Sequence, residues 1–263
     1  MHSATDLKTG ASVAIKLLAL PPGLPAAERQ EWLNRLQKEA ELARRLEHPH
    51  IVAVLATGLS ADRAWLVMEK VNGLDLSRYT PRTRLLPEPL VLEIGAKVAS
   101  ALAHAHSLGI VHRDLKPANV LVNLGQGQVK LADFGVAKSP DPSQTQTGVT
   151  LGTPAYMAPE LLIGEEASPA SDAYALGVML FELLTGRRPH EADTMGELLQ
   201  AVARAAPARL DMLRPDLPRA AITAVEQLLA REPAARPADL GAWARQVAAL
   251  AQLMQRAHQT PAA

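Results

Sequence analysis

The sequence predicts an α+β protein in which a small sheet with one helix precedes a mainly helical region. Residues 1–71 contain four short runs of strand character and one longer run with apolar residues at helical spacing. After Pro89 the long apolar patterns are helical. Asn72-Gly73 provides a turn between the two parts, so we expect lobes at residues 1–71 and 72–251.

The first lobe is expected to begin with two strands within residues 1–20, joined by a turn at Lys8-Thr9-Gly10. An amphipathic helix is expected from residue 25 to 46, where His48-Pro49 stops it. Strands at 52–58 and 64–71 complete the lobe. In the second lobe short strands are expected at 120–122 and 129–132, and residues 252–263 are expected to form a tail. The helices are expected at 90–108, 170–184, 195–205, 219–230 and 240–256.

Composition excludes several classes of protein. The 263 residues carry 27 basic and 27 acidic side chains and are 48% hydrophobic, which favours a large folded core and gives no charge excess for nucleic acid. The absence of cysteine removes disulfides and thiolate metal sites and is compatible with a cytoplasmic location. The longest apolar stretch, residues 173–184, is shorter than the roughly 20 residues that a membrane helix needs.

Four motifs carry the chemistry of this sequence. The run 112–119, His-Arg-Asp-Leu-Lys-Pro-Ala-Asn, places a carboxylate, cations and an amide within eight residues. Asp133-Phe134-Gly135 follows, then Ala158-Pro159-Glu160, and Val13-Ala14-Ile15-Lys16 lies upstream on a predicted strand. Any one string can arise by chance, but four in this order and with these gaps cannot reasonably do so.

With these motifs the chain resembles the eukaryotic-like (Hanks-type) bacterial serine/threonine protein kinases. The resemblance implies a bilobal protein kinase-like fold, with an antiparallel N-terminal sheet and a mainly helical C-terminal lobe. It also implies ATP and Mg²⁺ (or Mn²⁺) as cofactors and proteins bearing Ser or Thr as substrates. A homodimer for trans-autophosphorylation is left open. No nucleic-acid partner and no membrane span in this chain are expected.

The resemblance assigns the transfer chemistry to the catalytic loop and its neighbours. Asp114 would orient the acceptor hydroxyl and take its proton, and Lys116 would contact the transferred phosphate. Asn119 and Asp133 would bind the metal ions through hard oxygen ligands. Thr153 resembles the threonine that bonds the catalytic Asp and Lys in serine/threonine kinases.

The resemblance also assigns an ATP site. Lys16 would contact the α- and β-phosphates and pair with Glu39 on the predicted helix. Met68 aligns with the gatekeeper residue beside the adenine. The remaining candidates are of two kinds. The backbone groups of the hinge residues Glu69 and Val71 would bond the adenine, and the apolar residues Ala14 and Leu121 would lie on either side of it.

Further residues would have regulatory or structural roles. Thr145 and Thr147 occupy the place where related kinases autophosphorylate, and Arg113 marks the subclass that such a phosphate activates. Asp172 is expected to cap its helix and to anchor the catalytic-loop backbone. His112 and Phe134 are expected to stack, and Glu160 is expected to pair with Arg236.

One family feature is missing from the sequence. Aligning residues 5–16 with the family pattern leaves no room for the Gly-rich loop or the first strand. We expect the functional protein to begin upstream of Met1. The alternative reading is a pseudokinase or scaffold with weak or no ATP turnover, and a small-molecule phosphotransferase is a third. The intact Lys16, Asp114, Asn119 and Asp133 oppose the pseudokinase.

Overall fold

The N-terminal lobe contains the four strands and the helix that the sequence predicts. The computed structural model describes residues 1–19, 25–60, 63–134 and 154–259. The elements of this lobe are β1 (His2–Thr5), β2 (Ser12–Ala19), α1 (Ala26–Arg44), β3 (Val54–Leu59) and β4 (Arg63–Glu69).

The strands form one antiparallel sheet in the order β1-β2-β4-β3. In the register of β2 and β4, Ala14 lies opposite Met68 and Lys16 lies opposite Leu66. Because side chains alternate along a strand, Ala14 and Lys16 share one face of the sheet. The sheet therefore presents the predicted lysine and an adenine-flanking residue on the same side.

The C-terminal lobe combines a small sheet with the remaining helices. Strands β5 (Leu74–Asp75), β6 (Val120–Asn123) and β7 (Gln128–Leu131) form a three-stranded antiparallel sheet in that order. Gly73 precedes β5, where a Cβ atom would lie 2.3 Å from the carbonyl oxygen of Val122, so only glycine fits this turn. The lobe contains β5 (Leu74–Asp75), α2 (Glu88–Ser107), β6 (Val120–Asn123), β7 (Gln128–Leu131), α3 (Pro159–Leu162), α4 (Pro169–Thr185), α5 (Met195–Arg204), α6 (Leu210–Leu213), α7 (Arg219–Leu228) and α8 (Leu240–Gln259).

Helix α4 forms the centre of the C-terminal lobe, as its long apolar stretch predicts. Most of its side chains are buried, and it packs against α2 and α7. At Gly95 of α2 a Cβ atom would lie 2.7 Å from Cδ2 of Leu180, which shows how closely α2 and α4 approach. The α+β architecture with two lobes is therefore confirmed.

The C-terminal helix agrees with the expectation to within a few residues. It was expected at 240–256, and α8 continues to Gln259 and buries Met254 in the main core. The helix continues because apolar residues still recur at helical spacing beyond residue 251. The limit of the domain at residue 251, with a tail at 252–263, stays a prediction. Within the described residues, no helix combines the length and the apolar character needed to cross a membrane.

The segment between α1 and β3 makes hydrogen bonds from the N-terminal lobe to the C-terminal lobe. Ile51 forms a parallel bridge with Leu131 of β7. The backbone N–H of Val52 donates to the carbonyl of Leu131 at 2.9 Å, and the N–H of Leu131 donates to the carbonyl of His50 at 2.8 Å. This segment of the N-terminal lobe is therefore attached to the strand that precedes Asp133.

Candidate active site

The catalytic loop is held by the carboxylate of Asp172 on α4. Its Oδ2 accepts from the backbone N–H of His112 at 2.8 Å, and its Oδ1 accepts from that of Arg113 at 3.0 Å. Arg113 has a φ of 67°, a left-handed conformation that costs free energy for a residue with a side chain. The two charge-assisted bonds stabilise this strained backbone, so the predicted anchoring role of Asp172 is confirmed.

The predicted capping role of Asp172 is wrong. Helix α4 begins at Pro169, and Ser168 is its N-cap, in a capping box with Ser171. Asp172 lies within the first turn, where its side chain is available to bond the catalytic loop rather than the end of its own helix. The helix was expected to begin at residue 170, but it begins one residue earlier, because proline is favoured at the first position of a helix.

His112 connects the catalytic loop to the segment before Asp133. Its Nδ1 accepts from the N–H of Asp114 at 3.2 Å, and its Nε2 lies 2.9 Å from the carbonyl oxygen of Ala132. The ring is fully buried, and burial lowers its pKa. Because Nδ1 accepts a hydrogen bond and Nε2 lies beside a carbonyl oxygen, Nε2 carries the proton. Its ring centroid lies 4.7 Å from that of Phe134, in an edge-on arrangement that confirms the predicted stack.

Asp114 is surrounded by the polar side chains of its own loop. Nζ of Lys116 lies 3.1 Å from its Oδ2. Nδ2 of Asn119 donates to the carbonyl oxygen of Asp114 at 2.7 Å and reaches Oδ2 at 3.3 Å. Three of the residues that the sequence assigned to the transfer chemistry are therefore brought together around one carboxylate.

Lys16 and Asp133 meet across the cleft between the lobes. Nζ of Lys16 lies 2.6 Å from Oδ1 of Asp133, and both side chains are partly exposed. Asp133 has a φ of 61°, so this residue is also held in a left-handed conformation. Glu39 lies on α1 as predicted, but its side chain is outside the described residues, and its pairing with Lys16 stays a prediction.

An apolar surface adjoins this pair. A cleft is lined by Lys16, Met68 and Asp133 together with apolar residues such as Val54. Val71 and Leu121 pack against the same small cluster as Met68. Ala14 lies opposite Met68 in the sheet. The predicted adenine-side residues therefore lie in one region, on both sides of the lobe junction.

Asp133 and Asn119 carry side-chain oxygen atoms that suit a hard divalent cation, and such a cation also binds the phosphates of a nucleotide. The backbone N–H of Ala132 donates to the carbonyl oxygen of Asn119 at 2.8 Å, which ties the residue before Asp133 to Asn119. The described contacts of the Asn119 side chain use Nδ2, and its Oδ1 is the atom that a hard cation requires. Within the described residues, no group of three His, Cys, Asp or Glu side chains could hold a metal by itself. Magnesium usually binds one or two carboxylates plus substrate phosphates, and this donor set fits that mode.

The expected pair between Glu160 and Arg236 is present and buried. The guanidinium contacts both carboxylate oxygens, at 2.6 and 2.8 Å, and it lies over the ring of Tyr174 at 5.0 Å. Arg236 also donates to the carbonyl oxygens of Ala230, Ala170 and Arg231. The pair therefore connects α3, which contains Glu160, to the segment between α7 and α8, which contains Arg236.

Four residues of the predicted motifs and sites lie outside the described residues. They are Thr145, Thr147 and Thr153, and Gly135 of the motif that begins at Asp133. Their assigned roles stay predictions.

Comparison with known families agrees with this arrangement. The model of the family described as "Protein kinase domain" matches residues 1–251. The chain belongs to the protein kinase domain family. The family assignment extends over both lobes, and the residues that it leaves out, 252–263, include the end of α8. The fold predicted from the resemblance is confirmed.

The chain is also similar to curated bacterial kinases. It is 38% identical over 253 residues to the serine/threonine-protein kinase PknA of Mycobacterium tuberculosis, which covers 94% of this chain and 57% of that protein. It is 34% identical to PrkC of Bacillus subtilis, covering 89% of this chain and 35% of that protein. The corresponding values for pkn3 of Myxococcus xanthus are 37%, 88% and 44%. The chain therefore spans between about a third and three fifths of these relatives.

A solved structure shows the same fold. Rad53 residues 1–466 in complex with AMP-PNP matches with a TM-score of 0.77 and 26% identity, covering 94% of this chain and 60% of that chain. These comparisons support the resemblance to bacterial serine/threonine kinases. A Gly-rich loop upstream of Met1 stays a prediction.

The kinase domain contains two contacts that the sequence reasoning missed. Nε2 of His106 lies 2.8 Å from Oδ2 of Asp172, so a third group holds the carboxylate that anchors the catalytic loop. Nζ of Lys130 lies 2.6 Å from Oε1 of Glu69 at the hinge. The one sequence indication for Lys130 was a charged residue between the apolar residues Val129 and Leu131. Because side chains alternate along a strand, Lys130 lies on the face opposite to these two residues.

Proposed function

We propose that the chain is the catalytic domain of an ATP-dependent protein kinase that phosphorylates Ser and Thr hydroxyls of proteins. The observation that carries the proposal is the grouping of Lys116 and Asn119 around the Asp114 carboxylate, on a loop fixed to α4 through Asp172. Phosphoryl transfer depends mainly on positioning and charge neutralisation, and this loop is built to position.

In this proposal the residues of the chain divide the work. Asp114 orients the acceptor hydroxyl and receives its proton, while the ammonium group of Lys116 neutralises charge that develops on the transferred phosphate. Lys16 binds the phosphates of the nucleotide. The backbone groups of Glu69 and Val71 hydrogen-bond the adenine, with Met68 beside it and Ala14 and Leu121 on its two faces.

Asn119 and Asp133 would hold Mg²⁺ or Mn²⁺, and the metal would supply charge neutralisation at the phosphate oxygens. Asp133 contacts Lys16, so the proposed metal ligand lies beside the lysine that is proposed to bind the phosphates. Glu39 is proposed as the second partner of Lys16.

Serine and threonine are proposed as acceptors because the named relatives are serine/threonine-protein kinases and because Lys116 lies beside Asp114. Thr153 would hydrogen-bond this pair. Autophosphorylation at Thr145 or Thr147 would bring nearly two negative charges to the pocket containing Arg113. A homodimer that phosphorylates in trans, a cytoplasmic location and residues 1–251 as the domain limits remain parts of the same proposal.

The test is transfer of labelled γ-phosphate from Mg-ATP to generic basic proteins, followed by acid hydrolysis to identify the phosphorylated amino acid. Phosphoserine and phosphothreonine are expected. Labelling of small-molecule alcohols alone would indicate a different phosphotransferase, and Mg-ATP binding without transfer would indicate the pseudokinase alternative.

A further inference from the structure

Lys130 of β7 reaches the hinge from the C-terminal lobe. Its Nζ lies 2.6 Å from Oε1 of Glu69 and donates to the carbonyl oxygen of Ile51 at 3.2 Å. The Lys130 side chain is 12% exposed and the Glu69 side chain is 29% exposed. A partly shielded ion pair with additional hydrogen bonds is screened less by solvent than a surface pair.

Glu69 is held at both its main chain and its side chain. Its backbone N–H donates to the carbonyl oxygen of Ala53 at 2.9 Å, and its Oε1 accepts from the N–H of Ala53 at 3.0 Å. We call Lys130, Glu69 and the backbone of residues 51–53 the hinge brace. With these contacts, rotation of the Glu69 peptide groups would break either the ion pair or a bond to Ala53.

The hinge brace is anchored to the strand that leads to Asp133. The bonds between Leu131 and residues 50 and 52 fix the backbone of the brace to β7, and Nδ1 of His50 lies 3.1 Å from the carbonyl oxygen of Val129. Lys130 belongs to the same strand. One strand therefore fixes the hinge through Lys130 and places the proposed metal ligand three residues later.

The position of Lys130 separates it from the nucleotide phosphates. Lys16 lines the cleft and contacts Asp133, whereas Lys130 contacts the side chain of Glu69, whose backbone is proposed to bind the adenine. Lys130 is also absent from the described residues that line the cleft. It would act on the base through Glu69 and not on the phosphates.

We propose that Lys130 is a positioning residue that fixes the backbone of Glu69 for recognition of the adenine ring. This inference rests on the proposed function, since it requires that the hinge binds adenine. A role confined to general stability would lower the unfolding temperature and leave the affinity of the folded protein for adenosine unchanged. A positioning role predicts a loss of affinity that depends on the base and not on the phosphates.

The test measures binding of adenosine and of Mg-ATP by calorimetry, at a temperature where each variant is folded by circular dichroism. Lys130→Met should weaken adenosine and ATP by the same factor, about three- to tenfold. Lys16→Met should weaken ATP and leave adenosine unchanged, because adenosine has no phosphates. Lys130→Arg, which keeps the cation, should stay within about twofold of wild type.

Two further variants complete the design. Lys97→Met removes a lysine of α2 that contacts Glu93 and Gly127 instead of the hinge, and it should leave adenosine binding unchanged. Glu69→Gln combined with Lys130→Met should lose no more affinity than the larger single loss, because both changes remove one interaction.

Several results would overturn the inference. They are unchanged adenosine affinity in folded Lys130→Met, an equal loss in Lys97→Met, or no adenosine binding by the wild-type chain. Adenosine binding that depends on Lys130 in a chain that transfers no phosphate would overturn the proposed function and leave this inference standing. The two hypotheses can therefore fail separately.

Discussion

Lys16 and Asp133 lie 117 residues apart in the sequence and 2.6 Å apart in the structure. Lys16 belongs to the N-terminal sheet and Asp133 to the segment after β7, so their contact connects the two lobes across the cleft. A cation and a carboxylate at the mouth of a cleft, next to an apolar wall, suit a ligand that carries phosphates and a metal at one end and a ring at the other.

Replacing Asp133 with Asn should abolish phosphoryl transfer while the fold persists. The change removes the charge that would bind the metal, and we expect a loss of at least about 100-fold in turnover, or about 3 kcal/mol of transition-state stabilisation. Adenosine binding should be unchanged. The rates are measured with labelled ATP, and Asp193→Asn, at an exposed carboxylate, serves as control. Wild-type turnover in Asp133→Asn would show that the metal assignment is wrong.

Asp172→Asn should slow turnover by weakening the anchor of the catalytic loop. The amide cannot supply two charged acceptors to the N–H groups of His112 and Arg113. Loss of about 1–3 kcal/mol from these bonds corresponds to a roughly 5- to 150-fold fall in kcat. Affinity for ATP should change little, because the anchor is remote from the adenine. A variant whose kcat is unchanged would contradict the anchoring role.

Glu160→Leu should strongly destabilise the C-terminal lobe. It leaves the guanidinium of Arg236, which is 0% exposed, without its carboxylate partner. Breaking one side of a buried pair typically costs about 3–5 kcal/mol, and urea unfolding should report a loss of this size. Asp211→Asn removes the partner of the exposed Arg209, and its unfolding midpoint should match wild type. Equal effects in the two variants would refute the structural role of the buried pair.

The stability of the protein should fall in acid partly through His48. Burial and the neighbouring His50, His104 and Lys130 lower the pKa of His48 to about 4. Its unfolded pKa is about 6.5, so its contribution is present above that value and is lost as the pH falls towards 4. Unfolding free energies measured between pH 7 and 4 should therefore decline less steeply in His48→Gln. Identical slopes in the two proteins would exclude this contribution.

The elements of the fold could be predicted because their patterns are local. The alternation in β2 and the helical spacing in α1 and α4 lie within single segments, and their ends differ from expectation by only a few residues. The start of α4 was misassigned because Ser168 and Asp172 are both suitable caps by residue type. Only the structure shows which of the two side chains is engaged by the catalytic loop.

The site could be predicted where a motif concentrates its residues, as in the run from His112 to Asn119. The contacts between Lys130 and Glu69 and between His106 and Asp172 join segments that no short motif connects. Their partners are chosen by the tertiary arrangement of β7 and α4, which residue type and local spacing do not encode.

The central claim is that Asp114 lies at the centre of a phosphoryl-transfer site. The most direct measurement compares transfer of labelled γ-phosphate to a Ser/Thr protein substrate by wild type and by Asp114→Asn, both purified from a host without other kinases. The account predicts transfer by the wild-type protein and a loss of at least about 100-fold in a folded variant that still binds Mg-ATP. Equal transfer by the two proteins, or none by wild type, would contradict it.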